Sequence, residues 1–492
     1  MRKVNFIIII SLICIFVLPV FSQRIINFEE ALQTARSNSP EIKQVKLRYE
    51  RSRELLNAQK AALKSQFSLN LEPFYYYKNR EFDNFASQWY TNEIKRSTGT
   101  FSISQPLIWT DGTISLQDRF RWQDSYNIQG NRELTNTAYT NDLFIEYLQP
   151  IFTYNRTKME FQEVELDMED AYLNYQIQDL MLEQRTAGYF YDVYQKKMSL
   201  QVAREELQNT DQNYQVVENK VNAGLLAREE LYQAELNLAN SRSAVYNAEA
   251  AYENSLDQFK QTLGISLFED VTVVADVSET IVNTDLQKAI DYGLKYRMEL
   301  RQRRIELDIS RNNITRASAN NEFKGNVSLR YGILGDSEKF KDIYNKQTQS
   351  QEVSLRLEIP LYDWGQKESR IKAAEASFKS SEISAEEQKK DIIIEIRQAY
   401  RSLQNQKLQM EIARQNVKVA KLTYDINLER YLNGDLTSMD LNLFQNQLSE
   451  KKINQVDAII SHKLALLDLK IRSLWDFEKN RPVLKDLKAE RE

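Results

Sequence analysis

Between Glu352 and Leu432 the spacing of apolar residues changes once, from every second position to every third or fourth. Val353, Leu355, Leu357, Ile359 and Leu361 alternate with Ser354, Arg356, Glu358 and Pro360, which predicts a two-faced strand over 352–362. Beyond Asp363, Trp364 and Gly365 the apolar positions are Ile371, Ala374, Phe378, Ala385, Ile392, Ala399, Leu403, Met410, Ala413, Val417, Ala420, Tyr424 and Tyr431. They fall three, four or seven apart, the seam of a coiled coil over 367–432. At 1.5 Å per residue that helix is a rod of roughly 99 Å, too long for a compact domain.

The same succession is written twice. Phe28, Ala31, Leu32, Ala35, Glu41 and Ile42 match Leu286, Ala289, Ile290, Gly293, Glu299 and Leu300 at an offset of 258, while Lys64, Phe67, Ser68 and Leu69 match Lys324, Val327, Ser328 and Leu329 at 260. Pro150 matches Pro360, and Gly224 matches Gly434, at 210. The fall in offset places about fifty additional residues within 78–137 of the first half.

The resulting plan has a first repeat over 23–269 with helix 28–63, strands within 66–152, long helix 157–221 and helix 225–263. A β-prone connector over 270–284, expected on the outside, leads to a second repeat over 285–476. That repeat has helix 285–321, strands 325–334 and 352–362, long helix 367–432 and helix 436–475, followed by a tail over 477–492. Two shorter helices stacked end to end, roughly 112 Å, can lie beside one long helix of roughly 98 Å.

Phe67, Leu69 and Leu71, and likewise Val327, Leu329, Tyr331 and Ile333, alternate with polar residues amid many aromatics. This fits the wall of a membrane β-barrel, and it equally fits a half-buried soluble sheet. Within the additional fifty residues, about 98–123 reads as a further hairpin turning at Thr110, Asp111 and Gly112. It either enlarges such a barrel or extends outward.

Composition narrows the class. The 492 residues include only 12 Gly and 7 Pro, so turns are few and elements long. Met1–Ser22 carries Arg2 and Lys3, then an apolar core from Phe6 to Val20, and reads as a secretory leader cleaved between Ser22 and Gln23. Its removal takes the only cysteine, Cys14, and moves the net charge from −5 to −7. Disulfides and thiolate metal sites are thereby excluded, and a lipid anchor on Cys14 is disfavoured by the bulky Ile13 beside it. No later run of apolar residues is long enough for a transmembrane helix, which leaves a closed barrel as the only way to cross a bilayer.

Candidate chemistry is sparse. His462 is the only histidine, so no soft metal site can be completed around it. Nucleophile triads, metal-binding helices and phosphate-cradling glycine loops are all missing from the sequence, which argues against an enzyme and against any cofactor. The negative, interspersed charge argues against nucleic acid.

The two glycine turns carry the most specific signal. In KVNAGLLAREELYQAEL and RYLNGDLTSMDLNLFQNQL a basic residue (Lys220, Arg430) precedes the Gly by four. An acidic residue (Glu230, Asp440) and a Leu (Leu231, Leu441) follow it by six and seven. Gly224 and Gly434 supply the positive φ that a helix hairpin needs. Glu230 and Asp440 read as partners of the next helix's N-terminal dipole or, if copies converge, as an acidic ring.

With these turns, the duplication and the strand-proline-helix junctions at Pro150 (IEYLQPIFTYN) and Pro360 (LRLEIPLYDWGQ), residues 23–476 resemble the TolC-like outer-membrane efflux protein family. The resemblance implies a mainly α protein with membrane β-barrel strands. It would be a homotrimer sharing one outer-membrane barrel, four strands per protomer, above a coiled-coil periplasmic α-barrel. The implied function is an exit duct for tripartite efflux or type I secretion, in contact with outer-membrane lipid, a periplasmic adaptor and an inner-membrane transporter; the alternative is a structural coiled-coil protein without a pore.

The family's gate positions fall on Tyr431 and Asp440, and Glu230 stands where the first turn has Asp. Leu436 replaces a basic residue and Leu443 an acidic one. Those exchanges suggest a tip closed by dewetting between Leu225, Leu226 and Leu436.

Overall fold

The computed structural model describes residues 24–84, 87–129, 132–276, 282–345 and 347–483. The expected leader with its cleavage site, and residues 484–492 of the tail, lie outside these. In the first repeat the elements are β1 (Arg24–Ile26), α1 (Phe28–Asn38), α2 (Pro40–Ala62), β2 (Gln66–Asp83), β3 (Gln88–Leu107), β4 (Gly112–Gln129), β5 (Arg132–Ile151), α3 (Arg156–Asn222) and α4 (Arg228–Leu263). There follow β6 (Val271–Val273), α5 (Leu286–Tyr296), α6 (Met298–Ser318), β7 (Lys324–Ser337), β8 (Gln347–Glu358), α7 (Gln366–Leu432), α8 (Ser438–Ser473), β9 (Trp475–Asp476) and β10 (Arg481–Pro482).

The duplication is visible in lengths and caps. Helices α3 and α7 have 67 residues each, α4 and α8 36 each, and α1 and α5 11 each. Asn27 and Asp285, 258 apart, do the same work: Asn27 Oδ1 accepts from the Glu30 amide at 2.9 Å, and Asp285 Oδ1 from the Gln287 amide at 2.8 Å. Along α7 every seam residue from Ile371 to Tyr431 is buried or half-buried.

The structure departs from the periodicity in four places. The helix expected over 28–63 breaks at Ser39, which turns extended (φ −52°, ψ 127°) because Pro40 excludes the helical conformation from the residue before it. Its counterpart over 285–321 breaks at Arg297 with no proline present. There the guanidinium reaches Glu395 at 3.2 Å and the Arg472 carbonyl at 3.3 Å, so tertiary contacts hold the bend. The strand expected to run to Tyr362 stops at Glu358, since Pro360 has no N–H to continue the ladder with β7. Finally, the further hairpin expected over about 98–123 is longer, with β3 and β4 of 20 and 18 residues on either side of the turn at Thr110 and Asp111.

The chain divides into two units. One comprises Met1–Val45, Gln176–Arg297 and Asp391–Glu492. Its core is built on Phe190, whose ring meets those of Phe28 (5.7 Å), Tyr191 (5.3 Å) and Phe259 (6.1 Å). The connector, expected on the outside, instead sends β6 into parallel pairing with β1 and buries Val271 and Val273; residues 277–281 of it lie outside the described residues.

His462 is buried in α8, and burial, with Lys407 and Lys463 adding to it, holds its pKa below the usual value. A depressed histidine contributes full stability above about pH 6.5 and loses it as pH falls through the folded-state pKa. His462→Gln is therefore expected to flatten the decline in unfolding free energy between about pH 7 and 5 in denaturant titrations.

The other unit comprises Lys46–Tyr175 and Met298–Lys390. Its six strands form one antiparallel sheet in the order β2-β3-β4-β5-β7-β8. Its helical segments lie side by side in the matching order. Tyr49 of α2 packs on Tyr172 of α3, Arg301 of α6 pairs with Glu169 of α3 at 2.7 Å, and Ser310 of α6 meets Ser381 of α7 at 3.3 Å.

Candidate functional site

Continuous register across the sheet sorts its residues into rows that share a face. Phe67, Ile103, Leu116, Ile145 and Tyr331 form one row, which ends at Gln351 of β8, and Leu69, Phe101, Leu143 and Ile333 the next on the same face, which ends at Gln349. Asp118 interrupts that second row and is satisfied by the Asn141 amide at 2.7 Å. Rows of the opposite face read Ser68, Ser102, Gln117, Phe144, Gly332, Ser350 and Asn70, Thr100, Arg119, Asp142, Leu334, Thr348. On this polar face Arg330 pairs with Asp142 at 2.5 Å and lies 3.6 Å over the Phe144 ring. Gly332 is required there, because a Cβ would come within 2.6 Å of Phe144 Cβ.

Aromatics bracket the apolar rows. At one end Trp122 pairs with Tyr139, and Phe340 from the β7–β8 connection packs on Phe120 (5.7 Å) and Tyr139 (5.9 Å). At the other stand Trp109, the Phe152–Phe323 pair (5.1 Å) and the Tyr362–Trp364 pair (4.8 Å). From Tyr139 to Ile151 at about 3.4 Å per residue and a tilt of about 40° is a height of about 30 Å, which matches a barrel wall with its interfacial girdles.

The junctions at the prolines turn strand into helix. Pro150 sits near the end of β5, opposite Asn326, and Pro360 just beyond β8. After each, an aromatic residue takes the left-handed conformation, Phe152 at φ 61° and Trp364 at φ 56°. Helix α3 is started from another strand pair: Asp111, in the β3–β4 turn, accepts from the Thr157 amide (2.8 Å) and hydroxyl (2.6 Å). Burial opposes ionisation of Asp111, but these bonds and Arg156 prevail and hold its pKa below the usual carboxylate value. Asp363 does the same for α7, accepting from the Lys367 amide at 2.9 Å and thereby keeping a lowered pKa.

In the first unit, the glycine turns end α3 and α7 alike. Gly224 (φ 77°) and Gly434 (φ 90°) lie in matching Schellman motifs, with Leu225 N–H donating to Lys220 O (2.8 Å) and Asp435 N–H to Arg430 O (2.9 Å). No atom stands within 4 Å of a Cβ added at Gly434, so only backbone strain opposes a side chain. Gly434→Ala is expected to lower the unfolding free energy by about 1–2 kcal/mol, read by denaturant titration.

The helix contacts near these turns are polar. The Tyr431 hydroxyl donates to Asn213 Oδ1 at 2.6 Å, and Asn213 Nδ2 donates to Ser438 Oγ at 2.8 Å. Ser241 meets Thr210 at 3.2 Å, and Gln445 donates to the Glu206 carbonyl at 3.2 Å. Lys220 lies 5.4 Å over the Tyr431 ring. Burial first, and the Glu230 charge after it, raise the Tyr431 pKa against the opposing Ser438 hydrogen bond.

A profile of the outer membrane efflux protein family matches residues 290–470. Most of the second repeat is thus similar to an outer membrane efflux protein domain. In fold, the likeness extends to about nine tenths of the chain and to solved outer membrane channels. It is similar to the CmeC outer membrane channel of Campylobacter jejuni (13% identity, TM-score 0.67), covering 94% of this chain and 88% of that one. VceC from Vibrio cholerae gives 13% and 0.66 over 90% and 94%, and the open state of the MtrE outer membrane channel of Neisseria gonorrhoeae 12% and 0.65 over 91% and 88%. Curated protein sequences yield no match.

Around the two glycine turns the candidate residues separate. Tyr431 and Glu230 are brought together electrostatically, while Asp440 turns to its own helix: its amide donates to Thr437 Oγ1 at 3.2 Å and its carboxylate accepts from that hydroxyl at 2.7 Å. Leu436 is half-buried and Leu225 exposed. Asn213, Tyr431's partner, went unremarked in the sequence. Its signal was a polar residue between Thr210 and Val217 on the three-four stripe of α3.

Proposed function

We propose that this protein is the outer-membrane exit duct of a tripartite efflux or type I secretion system, passing cargo received from a periplasmic adaptor and an inner-membrane transporter. The observation that carries the reading is a sheet whose rows are apolar on one face, polar on the other and bracketed by aromatics, in a chain that ends two 67-residue helices in matched glycine turns. Three copies share the barrel and the helical tunnel, which becomes continuous only on assembly. The protein performs no chemistry on its cargo and needs no cofactor.

The glycine turns form the gate and the adaptor contact. Gly224 and Gly434 shape the hairpins, and the Tyr431–Asn213–Ser438 chain holds them closed. Hydrogen bonds suit a gate, because water replaces each one as helices part, whereas separated apolar surface has no such compensation. Leu225, Leu226 and Leu436 add an apolar constriction, and exposed Leu225, Met439 and Leu443 offer the adaptor its grip. The Glu230 charge adds to burial in disfavouring ionisation of Tyr431, and Asp440 braces Thr437, the residue that caps α8.

The test is fractionation and reconstitution of the full chain. An SDS-resistant, heat-modifiable trimer in the outer-membrane fraction that forms discrete conductances in planar bilayers is expected. A soluble periplasmic monomer without conductance overturns the reading in favour of a structural coiled-coil protein.

A further inference from the structure

The six-stranded sheet ends in two open edges, β2 and β8. Both carry exposed apolar side chains, with Leu71 68% and Val353 78% accessible, and neither has a strand partner on its outer side among the described residues. In lipid an open edge leaves a row of backbone N–H and C=O groups with no acceptor or donor, so these edges must be covered. Six strands are too few to close on themselves, the smallest outer-membrane barrels having about eight.

The edges suit each other. Five successive antiparallel steps separate them, so β2 and β8 run in opposite directions, and β8 of one copy set beside β2 of the next continues the antiparallel alternation. Such a head-to-tail contact closes into a ring by rotation.

Circumference decides how many strands lie in the wall. In the unit that holds the sheet, the helical segments of α2, α3, α6 and α7 stand side by side in the same order as the strands they adjoin. Four helices at 8–10 Å spacing occupy about 32–40 Å of arc. Six strands at about 4.8 Å spacing and 40° tilt occupy about 38 Å, whereas four would occupy only about 25 Å. The arcs agree with the β3–β4 pair inside the wall, where β3 is bonded to β2 and β4 to β5 over nearly their full lengths, and the seam between copies falls at β8 and β2 beside α7 and α2.

We infer that three copies close a barrel of eighteen strands, six from each, in place of the twelve expected from four strands per protomer. This rests on the trimeric exit-duct reading. The barrel measures about 36 Å across at the backbone, against about 24 Å for twelve strands. Inward side chains, among them Ser102, Gln117, Arg119 and Asp142, leave a polar bore of about 25 Å. A bore of that size passes hydrated polar cargo up to small folded polypeptides, so the barrel does not sieve and the gate alone limits size.

Single-particle imaging of the full chain in lipid nanodiscs tests the strand count, and cysteine cross-linking tests the seam. Oxidation of variants pairing Ser68→Cys with Ser350→Cys, Ser354→Cys, Arg356→Cys or Glu358→Cys, which share its face and bracket the stagger that a tilted barrel requires, is expected to give a ladder of covalent dimer and trimer from at least one pair, since the exported chain has no other thiol. A three-fold ring of eighteen strands with that ladder is the expected result. A ring of twelve strands with β3 and β4 folded outside the wall, or no ladder from any pair, overturns the inference while leaving the exit duct standing, and a ring of other than three copies overturns it together with the trimeric assembly. A lone chain without a bore overturns both.

Discussion

Replacing Tyr431 with Phe is expected to raise the open probability of the reconstituted channel by roughly tenfold, read as single-channel current in planar bilayers. The substitution keeps the ring that Lys220 overlies and removes only the hydroxyl that donates to Asn213. Asn213 Oδ1 then loses its partner in a half-buried site, at a cost of about 1–3 kcal/mol to the closed tip. About 1.4 kcal/mol shifts an equilibrium tenfold. The open tip pays nothing comparable, because water reaches the amide there. Leu226→Ser with Leu436→Ser separates this hydrogen-bonded tie from a dewetted constriction. If the double serine variant raises conductance while Tyr431→Phe leaves it unchanged, closure is apolar and the polar chain is only a packing feature.

The largest stability effect is expected at Phe190. Truncation to Ala removes a fully buried ring that touches Phe28, Tyr191 and Phe259, and should lower the unfolding free energy by about 3–5 kcal/mol in denaturant titrations followed by circular dichroism. The cost is high because the site joins α1, α3 and α4, and closing the cavity requires moving helices tied to β1 and β6. Phe190→Leu, which keeps most of the volume, should cost less than half as much. Equal losses from the two variants would mean that ring geometry rather than cavity volume governs the site.

Both results bear on how much of this molecule could be read from residues alone. The helix seam on α7 was legible because a 3.5-residue repeat is a local stereochemical signal, and each of its residues is at least half-buried. The glycine turns were legible because positive φ restricts the residue type, and Gly224 and Gly434 adopt it. The break at Ser39 was available in Pro40, but the matching break at Arg297 was not, since a distant carboxylate, Glu395, and the Arg472 carbonyl hold it. Asp440 carried two readings in sequence; a hydroxyl three residues earlier gives it a capping partner.

By itself the sequence determined the duplication, the order of long helices and strands, and the positions of the turns, because periodicity, proline and glycine act on the backbone within a few residues. Only the tertiary structure decided that six strands join one sheet, that their rows align apolar with apolar, and that Asn213 meets Tyr431 across 218 positions. Strand pairing and helix contacts at such separations depend on which surfaces bury each other, and that choice is made by the folded neighbours rather than by any local preference.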